Sequence, residues 1–233
     1  MSRTAARVFV FILGLSLQPA PRLFAQDGFV ELFPSEGVPP GWSVREWNDL
    51  RKPVRADVWS VKDGVLVSGP RRGTWFVSDA EYGDFTLEFE IKLGELGNSG
   101  VALRAPMFGD PAFDGMELQV ADFRYNTSAK DSELTGGIYR AVAPSKQIYR
   151  PAGWNHFVIE LKGDHLKVTL NYEVIQDTDL SKYDQPVKRH DNTNASPVKD
   201  RPRKGHIGFQ HLSRDQVPVQ IRKARIKVEP ARQ

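Results

Sequence analysis

The chain has 233 residues, with 32 Lys and Arg against 29 Asp and Glu, and it contains no cysteine. This length suits one domain of ordinary size or one large all-β domain. The absence of cysteine excludes a disulfide framework, a thiolate nucleophile and a cysteine-based zinc site. The fold must therefore be held by its own hydrophobic core, which a chain of about 200 residues can supply.

The first 25 residues have the layout of a cleaved secretory signal peptide. Arg3 and Arg7 form a basic start, an apolar run extends from Val8 to Leu17, and Ala25 is a small residue at the expected cleavage site. The apolar run is too short to span a bilayer. The alternative is a buried N-terminal strand. We predict a secreted or periplasmic protein whose residues 26–233 form a single domain with no membrane contact after cleavage.

Removal of this leader changes the charge balance. Three of the 32 basic residues lie in it, so 29 remain against 29 acidic residues in the mature chain. Binding of nucleic acid without sequence preference requires a surplus of Lys and Arg on one face. The one basic cluster, Lys199–Lys204, lies in a polar segment. We therefore predict no nucleic-acid partner.

Alternation of apolar and polar residues predicts strands almost throughout the mature chain. Asp84–Leu93 alternates with a period of two, which is typical of a strand with one buried face. Asp63-Gly64 predicts a hairpin turn, and so does Gly163-Asp164. The other predicted strands are Val58–Val61, Val65–Val67, Val101–Arg104, Gly115–Asp122, Gly137–Arg140, Trp154–Leu161, His165–Asn171, His206–Gln210 and Val219–Val228.

About a dozen short strands separated by Gly and Pro predict an all-β fold, an antiparallel two-sheet jelly-roll sandwich. No segment shows a helical period over three turns. Residues 178–204 contain few large apolar side chains, and we predict a long polar loop that crosses one sheet edge.

Polar side chains cluster on the predicted strand Gly115–Asp122. Glu117 and Gln119 are two residues apart and therefore share a face. Asp122 would point inward on a regular strand, but a bulge near Ala121 would turn it towards Glu117. With Arg104 on a nearby strand, we predict a groove with Glu117, Asp122 and Arg104 as catalytic residues and Gln119 as a substrate-binding residue. The alternative is a solvated face.

Such a cluster has a chemical use. A carboxylate beside an arginine stays ionised and can act as a base, whereas a carboxyl pressed against apolar groups has a raised pKa and can act as an acid. His211 is the best placed of the five histidines, and we add it to the catalytic candidates. The other four, His156, His165, His190 and His206, are interpreted as surface or edge residues.

Four further residues are substrate-binding candidates, namely Asn98, Ser99, Tyr139 and Trp154. For Asn98 and Ser99 the alternative is plain turn chemistry. For Tyr139 it is a half-buried strand residue, and for Trp154 it is core packing. No pair of histidines has metal-ligand spacing, so no metal site and no cofactor are predicted, although a divalent metal such as Ca²⁺ stays open.

Eight motifs occur in a fixed order, and with them the sequence resembles the 3-keto-disaccharide hydrolase domain family, also described as 3-keto-glucoside 1,2-lyases and 3-keto-2-hydroxyglucal hydratases. The resemblance covers about Gly28 to Val228. Its motifs are Phe29–Phe33 with Gly41-Trp42, Trp59–Gly64, Tyr82–Phe85, Gly97–Gly100 with Leu103-Arg104, Gly115–Gln119 with Asp122, Thr135–Tyr139, Trp154-Asn155 and Gly205–Gln210.

The resemblance implies a sandwich of the concanavalin A-like lectin and glucanase type and a substrate already oxidised at C3 of the sugar. A base removes the acidified C2 hydrogen, the C1 substituent leaves, and water adds back. By this resemblance Glu117 or Asp122 is the base, and Arg104 or His211 stabilises the enolate. The chain departs from the family pattern at Phe33-Pro34-Ser35, at Asn171-Tyr172 and in the loop Gln210–Asp215.

We therefore predict an exported enzyme that cleaves 3-keto-glycosides by C2 proton abstraction and loss of the C1 substituent. Its partner would be an oligosaccharide or keto-sugar, and the protein a monomer or weak homo-oligomer. One alternative is a non-catalytic carbohydrate-binding module with the same groove. Another is a retaining glycosidase, because Glu117-x-Gln-x-x-Asp122 resembles the catalytic strand of laminarinase-type glucanases, although Gln119 replaces its helper acid.

Overall fold

The computed structural model describes residues 28–229, so the predicted signal peptide lies outside the described residues. Within them, no helix has the length and apolar character needed to cross a membrane. The strands are β1 (Val30–Glu31), β2 (Trp42–Glu46), β3 (Asp49–Pro53), β4 (Ser60–Lys62), β5 (Val65–Val67), β6 (Thr74–Tyr82), β7 (Phe85–Lys92), β8 (Asn98–Ala105), β9 (Met116–Ala121), β10 (Asn155–Lys162), β11 (His165–Leu170), β12 (Glu173–Asp179), β13 (Val187–Lys188), β14 (Asn194–Ala195), β15 (Gly205–His211) and β16 (Gln220–Val228). One helical turn, α1 (Pro111–Asp114), precedes β9.

Two large sheets contain nearly all of these strands. The eight-stranded sheet has the order β12-β11-β10-β7-β16-β5-β4, with β1 also paired to β16. The six-stranded sheet has the order β3-β2-β6-β15-β8-β9, and β13 and β14 form a separate hairpin. Neighbouring strands in both large sheets are antiparallel. The predicted all-β antiparallel sandwich is confirmed.

The core lies between the two large sheets. In β7 the predicted alternation places Phe85, Leu87, Phe89 and Ile91 inside, each 0% exposed. The ring of Phe89 meets that of Phe209 on the opposite sheet edge-on, with centroids 5.4 Å apart. Each such buried side chain contributes about 1.5–3 kcal/mol of transfer free energy, so the sheets are held together mainly by apolar burial.

The predicted hairpin at Asp63-Gly64 joins β4 to β5. Both turn residues are left-handed, with φ of 52° at Asp63 and 71° at Gly64, as a two-residue turn of type I′ requires. The predicted strand Gly137–Arg140 is different. There only Ile138 forms bridges, one to Leu118 and one to Val142, so this segment is a turn pinned to the edge of β9.

Residues 178–204 are not a structureless loop. They include the end of β12, the β13–β14 hairpin and 3₁₀ turns at Leu180–Lys182 and Val198–Asp200. Their few apolar side chains are enough to build a small second core, in which Val187 and Ala195 pack against Phe113 of α1. The segment therefore docks on α1 instead of only crossing a sheet edge.

Candidate active site

A cleft lies on the face of the six-stranded sheet that points away from the core. It has about 680 Å³ of open volume. Glu117 and Gln119 lie on this face because their neighbours Leu118 and Val120 point into the core. Besides these two side chains, the cleft is lined by Trp47, Asn98, Asp110, Ala112, Tyr125, Asn126, Tyr139, Arg140, His190, Gln210 and Leu212.

Glu117 has an unusual position for a carboxyl group. It is only 3% exposed, and its Oε1 has no hydrogen-bond partner. Burial raises the pKa of Glu117 well above its ordinary value, and the charge of Asp110 raises it further. The neighbouring strand β8 leaves room for this group at Gly100, because a Cβ there would overlap Glu117 Oε1. A buried carboxyl with a raised pKa in a cleft is typical of an acid–base residue.

Asp110 provides a second carboxyl in the same cleft. It caps the N-terminus of α1, where its Oδ1 accepts a hydrogen bond of 3.0 Å from the Ala112 N–H. The side chain is mostly buried, and this burial outweighs the cap and raises its pKa to about 6. Asp110 is not among the site residues predicted from the sequence. The signal was present, since Asp followed by Pro is a common helix start, but a single turn has no helical period.

Two arginines of the segment 178–204 hold α1 in place. Arg189 donates to the two carboxylate oxygens of Asp114 at 2.5 and 3.1 Å. Arg201, which is 4% exposed, donates to the carbonyls of Ala112 and Gly115 at 3.0 Å each. The polar segment thus fixes the turn that carries Asp110 against the cleft.

Tyr139, Arg140 and His190 also line the cleft, the first two from the turn at the edge of β9 and His190 from the β13–β14 hairpin. Burial raises the pKa of Tyr139 to about 12, so its hydroxyl keeps its proton at neutral pH. The Arg140 guanidinium lies 5.3 Å from the centre of the Tyr139 ring and is held by Glu133 at 2.7 Å. His190, exposed at the tip of the β13–β14 hairpin, has its ring 5.8 Å from those of Trp47 and Tyr139. The sequence offered no signal for Arg140 or His190.

The prediction that Arg104 lies beside Glu117 is wrong. Arg104 is 1% exposed and donates to the carbonyls of Gly83 and Gly163 at 2.8 Å and to Asp84 at 2.9 Å. The cause is a bulge in β8, where the register with β15 shifts and Arg104 has φ of 51°. A bulge reverses the face to which a side chain points, and here it turns Arg104 out of the cleft.

The predicted bulge near Ala121 is also absent, because β8 and β9 pair without a shift from Asn98–Ala121 to Leu103–Met116. Asp122 is therefore not turned towards Glu117. Its fully buried carboxylate accepts hydrogen bonds from the backbone N–H, Nε and Nη2 of Arg124, at 2.9, 2.8 and 2.8 Å. It borders the neighbouring recess at Asn126 and does not line the cleft of Glu117.

Strand alternation decides on which side of the sheet three further candidates lie, namely Asn98, Ser99 and His211. Asn98 and Gln210 line the cleft, so Ser99 and His211 point to the other side of the sheet. Ser99 Oγ donates to the Gln210 carbonyl at 2.7 Å. His211 is 1% exposed, and burial lowers its pKa, which keeps the ring neutral. Trp154 stacks under Arg222 of the eight-stranded sheet, 4.0 Å away, and does not line the cleft.

Of the predicted site residues, the structure brings together Glu117, Gln119, Asn98 and Tyr139 in one cleft. Among residues 28–229, no group of three or more His, Asp or Glu side chains has an arrangement that would hold a metal ion.

The fold and the site define an antiparallel β-sandwich with two carboxyls of raised pKa in a cleft on one sheet. A family model, the 3-keto-alpha-glucoside-1,2-lyase-like domain, matches residues 28–227. The chain belongs to this family, as its motifs predicted.

Two solved structures are similar to the chain. A candidate glycosyl hydrolase from Parabacteroides distasonis is 28% identical, with a TM-score of 0.65 over 73% of this chain and 90% of the other. A second candidate glycosyl hydrolase from the same organism is 21% identical, with a TM-score of 0.66 over 90% of this chain and 99% of the other, and shares the fold. No curated protein matches the chain.

Proposed function

We propose that the protein is an exported enzyme that cleaves 3-keto-glycosides in the cleft over Glu117. The observation that carries the proposal is the Glu117 carboxyl, which is buried, lacks a partner for Oε1 and has a raised pKa. Membership of the family supports a carbohydrate-active role, and the 28% identical candidate glycosyl hydrolase supports an enzyme of that kind. Export rests on the predicted signal peptide, and N-terminal sequencing of the protein from outside the cytoplasm tests it.

The chemistry starts at C2 of the sugar, whose hydrogen is acidified by the neighbouring 3-keto group. Glu117 takes this proton in its ionised form, and its raised pKa makes that form a stronger base than an ordinary carboxylate. The C–H electron pair moves into the C2–C3 bond as the C3 oxygen becomes an enolate. When the C3 carbonyl forms again, the electron pair of the C2–C3 double bond moves to form a double bond between C1 and C2, and the C1–O bond breaks. The leaving oxygen keeps the electron pair of the C1–O bond and takes up a proton. Water then adds across C1 and C2, so the overall reaction is hydrolysis.

The other groups of the cleft have matching roles. The Tyr139 hydroxyl, protonated at neutral pH, and the Arg140 cation are suited to stabilising the enolate oxygen. Asp110 has a pKa of about 6 and therefore exchanges its proton in the neutral range. We assign to it the donation of a proton to the leaving oxygen. The amides of Asn98, Gln119 and Gln210 can hydrogen-bond the sugar hydroxyls.

The test is turnover of 3-keto-glucosides by the purified mature protein, followed by quantifying the released aglycone. We expect Glu117→Gln to lower kcat/KM by at least about 100-fold, because the base is lost. The matched control is Glu88→Gln on the other sheet, which should change kcat/KM by less than about twofold. A second arm, Asp122→Asn, should keep kcat/KM within about threefold of the wild type.

Turnover that survives Glu117→Gln would remove this site from the reaction. Hydrolysis of unoxidised glucosides would overturn the proposal in favour of a retaining glycosidase. Binding to glycans without any turnover would overturn it in favour of a carbohydrate-binding module.

A further inference from the structure

The Arg140 side chain joins three segments of the chain at the edge of the cleft. Its Nε donates to Glu133 Oε1 at 2.7 Å, and its Nη1 donates to the Lys188 carbonyl at 3.1 Å. The guanidinium also lies 5.3 Å from the centre of the Tyr139 ring. The 3₁₀ turn Asp131–Glu133, the turn at the edge of β9 and the β13–β14 hairpin therefore meet at this one cation.

Glu133 is fixed by a second contact besides Arg140. Its Oε2 accepts a hydrogen bond of 3.1 Å from the Lys130 N–H, while Oε1 accepts from Arg140. Burial pushes the pKa of Glu133 upwards, but the hydrogen bonds from Lys130 and Arg140 outweigh it and lower the pKa. The carboxylate is therefore ionised at neutral pH and presents an oriented, charged acceptor to the guanidinium.

The backbones that carry Glu133 and Arg140 are in close contact. The Arg140 N–H donates to the Ser132 carbonyl at 3.2 Å. A Cβ at Gly137 would lie only 2.6 Å from the same carbonyl oxygen. Arg140 itself has φ of 59°, a left-handed conformation that is uncommon for residues other than glycine. Such a conformation persists where the surrounding contacts hold it, as the two turns do here.

The orientation of Arg140 depends on an acidic partner. An arginine side chain has many rotamers, and a cation stabilises a developing charge best when it is oriented before the reaction. Within residues 28–229, Glu133 is the one carboxylate that forms an ion pair with Arg140. Glu133 does not line the cleft, whereas Arg140 and Tyr139 do. Any effect of Glu133 on the reaction would therefore pass through Arg140.

We propose that Glu133 is a positioning residue, which holds the Arg140 guanidinium beside Tyr139 and, through Arg140, ties the β13–β14 hairpin to the edge of the cleft. This inference rests on the proposed function, in which Arg140 stabilises the enolate oxygen. It adds a residue that touches no substrate and acts on turnover only while Arg140 is present.

A double-mutant cycle on turnover of a 3-keto-glucoside tests this dependence. Arg140→Ala should lower kcat about 100-fold and Glu133→Ala about tenfold, each with less than about a twofold change in KM, because the enolate charge develops only in the transition state. In Arg140→Ala protein, the added change Glu133→Ala should lower kcat by less than about twofold, since no guanidinium is left to hold. All variants are compared at equal folded fractions.

Two further variants complete the cycle. Glu133→Asp keeps the charge and should recover part of the loss in kcat. The matched control is Glu160→Ala, which removes a carboxylate that is 33% exposed and paired with Lys167 on the eight-stranded sheet. It should change neither kcat nor KM. Equal losses from Glu133→Ala with and without Arg140, or a rise in KM at unchanged kcat, would overturn the inference.

A second test needs no substrate and uses the His190 ring as a reporter. Partial burial and the Arg140 cation lower the pKa of His190, whereas the carboxylates of Glu133 and Asp191 raise it. If Arg140 stayed in place without Glu133, Glu133→Gln would lower this pKa further, because a negative charge is lost. If Glu133 holds Arg140, the same change releases the cation, whose influence on His190 is the larger, and the pKa should rise.

The measurement is an NMR titration of the histidine rings, with the His190 signal assigned by its loss in His190→Gln. If no 3-keto substrate is turned over, the proposed function fails, but this titration still decides the role of Glu133. A raised pKa of His190 in Glu133→Gln supports the positioning role. A lowered or unchanged pKa overturns it.

Discussion

The two outward faces of the sandwich carry glutamates in opposite electrostatic states. On the eight-stranded sheet, Glu90 accepts hydrogen bonds from Arg222 at 2.5 Å and Lys223 at 2.7 Å. Burial pushes the pKa of Glu90 upwards, but these two partners outweigh it and lower the pKa. On the six-stranded sheet, Glu117 is buried with no partner for Oε1, and its pKa is raised.

The difference indicates which face does chemistry. A glutamate satisfied by two cations is a poor base, and its partners hold neighbouring strands together. A buried carboxyl without a partner costs stability, and such a cost is expected where a site needs a reactive group. Glu88 belongs to the first kind, since Arg225 donates to it at 2.9 Å and His156 contacts it at the same distance.

The largest expected effect is a loss of stability at Arg104, a buried cation that is paired with Asp84. Arg104→Met removes three hydrogen bonds of a buried guanidinium and should lower the free energy of unfolding by about 3 kcal/mol. Because Arg104 does not line the cleft, kcat/KM per folded molecule should stay within about twofold. Urea unfolding and turnover at matched folded fractions measure both. Full stability with lost turnover would contradict the placement of Arg104 away from the cleft.

A smaller effect is expected from crowding the unpaired carboxyl. In Gly100→Ala the new Cβ would overlap Glu117 Oε1 and force this side chain to move. We expect a loss of about tenfold in kcat/KM, equivalent to about 1.4 kcal/mol. The matched control is Gly83→Ala, where the nearest atom to the new Cβ is a carbonyl oxygen at 3.8 Å. An unchanged kcat/KM in Gly100→Ala would show that the position of Glu117 does not matter for turnover.

The smallest effect concerns stability against pH, with opposite signs on the two faces. The raised pKa of Glu117 means that the folded protein binds this proton more tightly than the unfolded chain, so ionisation costs stability as pH rises above 4.5. Glu117→Gln should therefore stabilise the protein by about 1 kcal/mol near pH 8 and have less effect near pH 4.

The lowered pKa of Glu90 has the reverse consequence. Its stabilisation is present above 4.5 and is lost as pH falls through the lowered pKa. Glu90→Gln should therefore destabilise the protein near pH 8, where Glu117→Gln stabilises it. Urea unfolding of both variants across this pH range is the measurement, and changes of the same sign would refute the contrast between the faces.

Much of the fold follows from local patterns. Period-two alternation was enough to predict β7, and Asp63-Gly64 was enough to predict the turn after β4. The same alternation placed Glu117 and Gln119 on one face, and both line the cleft. The same alternation also predicts that Asn98 and Ser99 lie on opposite faces of the sheet, since adjacent residues of a strand point to opposite faces.

The rest of the site has no local signal. Arg104 leaves the cleft because of a bulge whose cause is pairing with β15, about a hundred residues later in the chain. His190 and the arginines that hold α1 come from the segment 178–204, whose composition indicates only a polar loop. Trp47 reaches the cleft from the other end of the sheet.

The sequence by itself thus determined the sandwich, the family and the strand that bears Glu117, because strand alternation and turn chemistry act between residues close in the chain. Only the tertiary structure decided that Asp110 faces Glu117 while Asp122 pairs with Arg124. The physical reason is that a pKa depends on burial and on charges brought near by the whole fold, and neither quantity is present in a short stretch of residues.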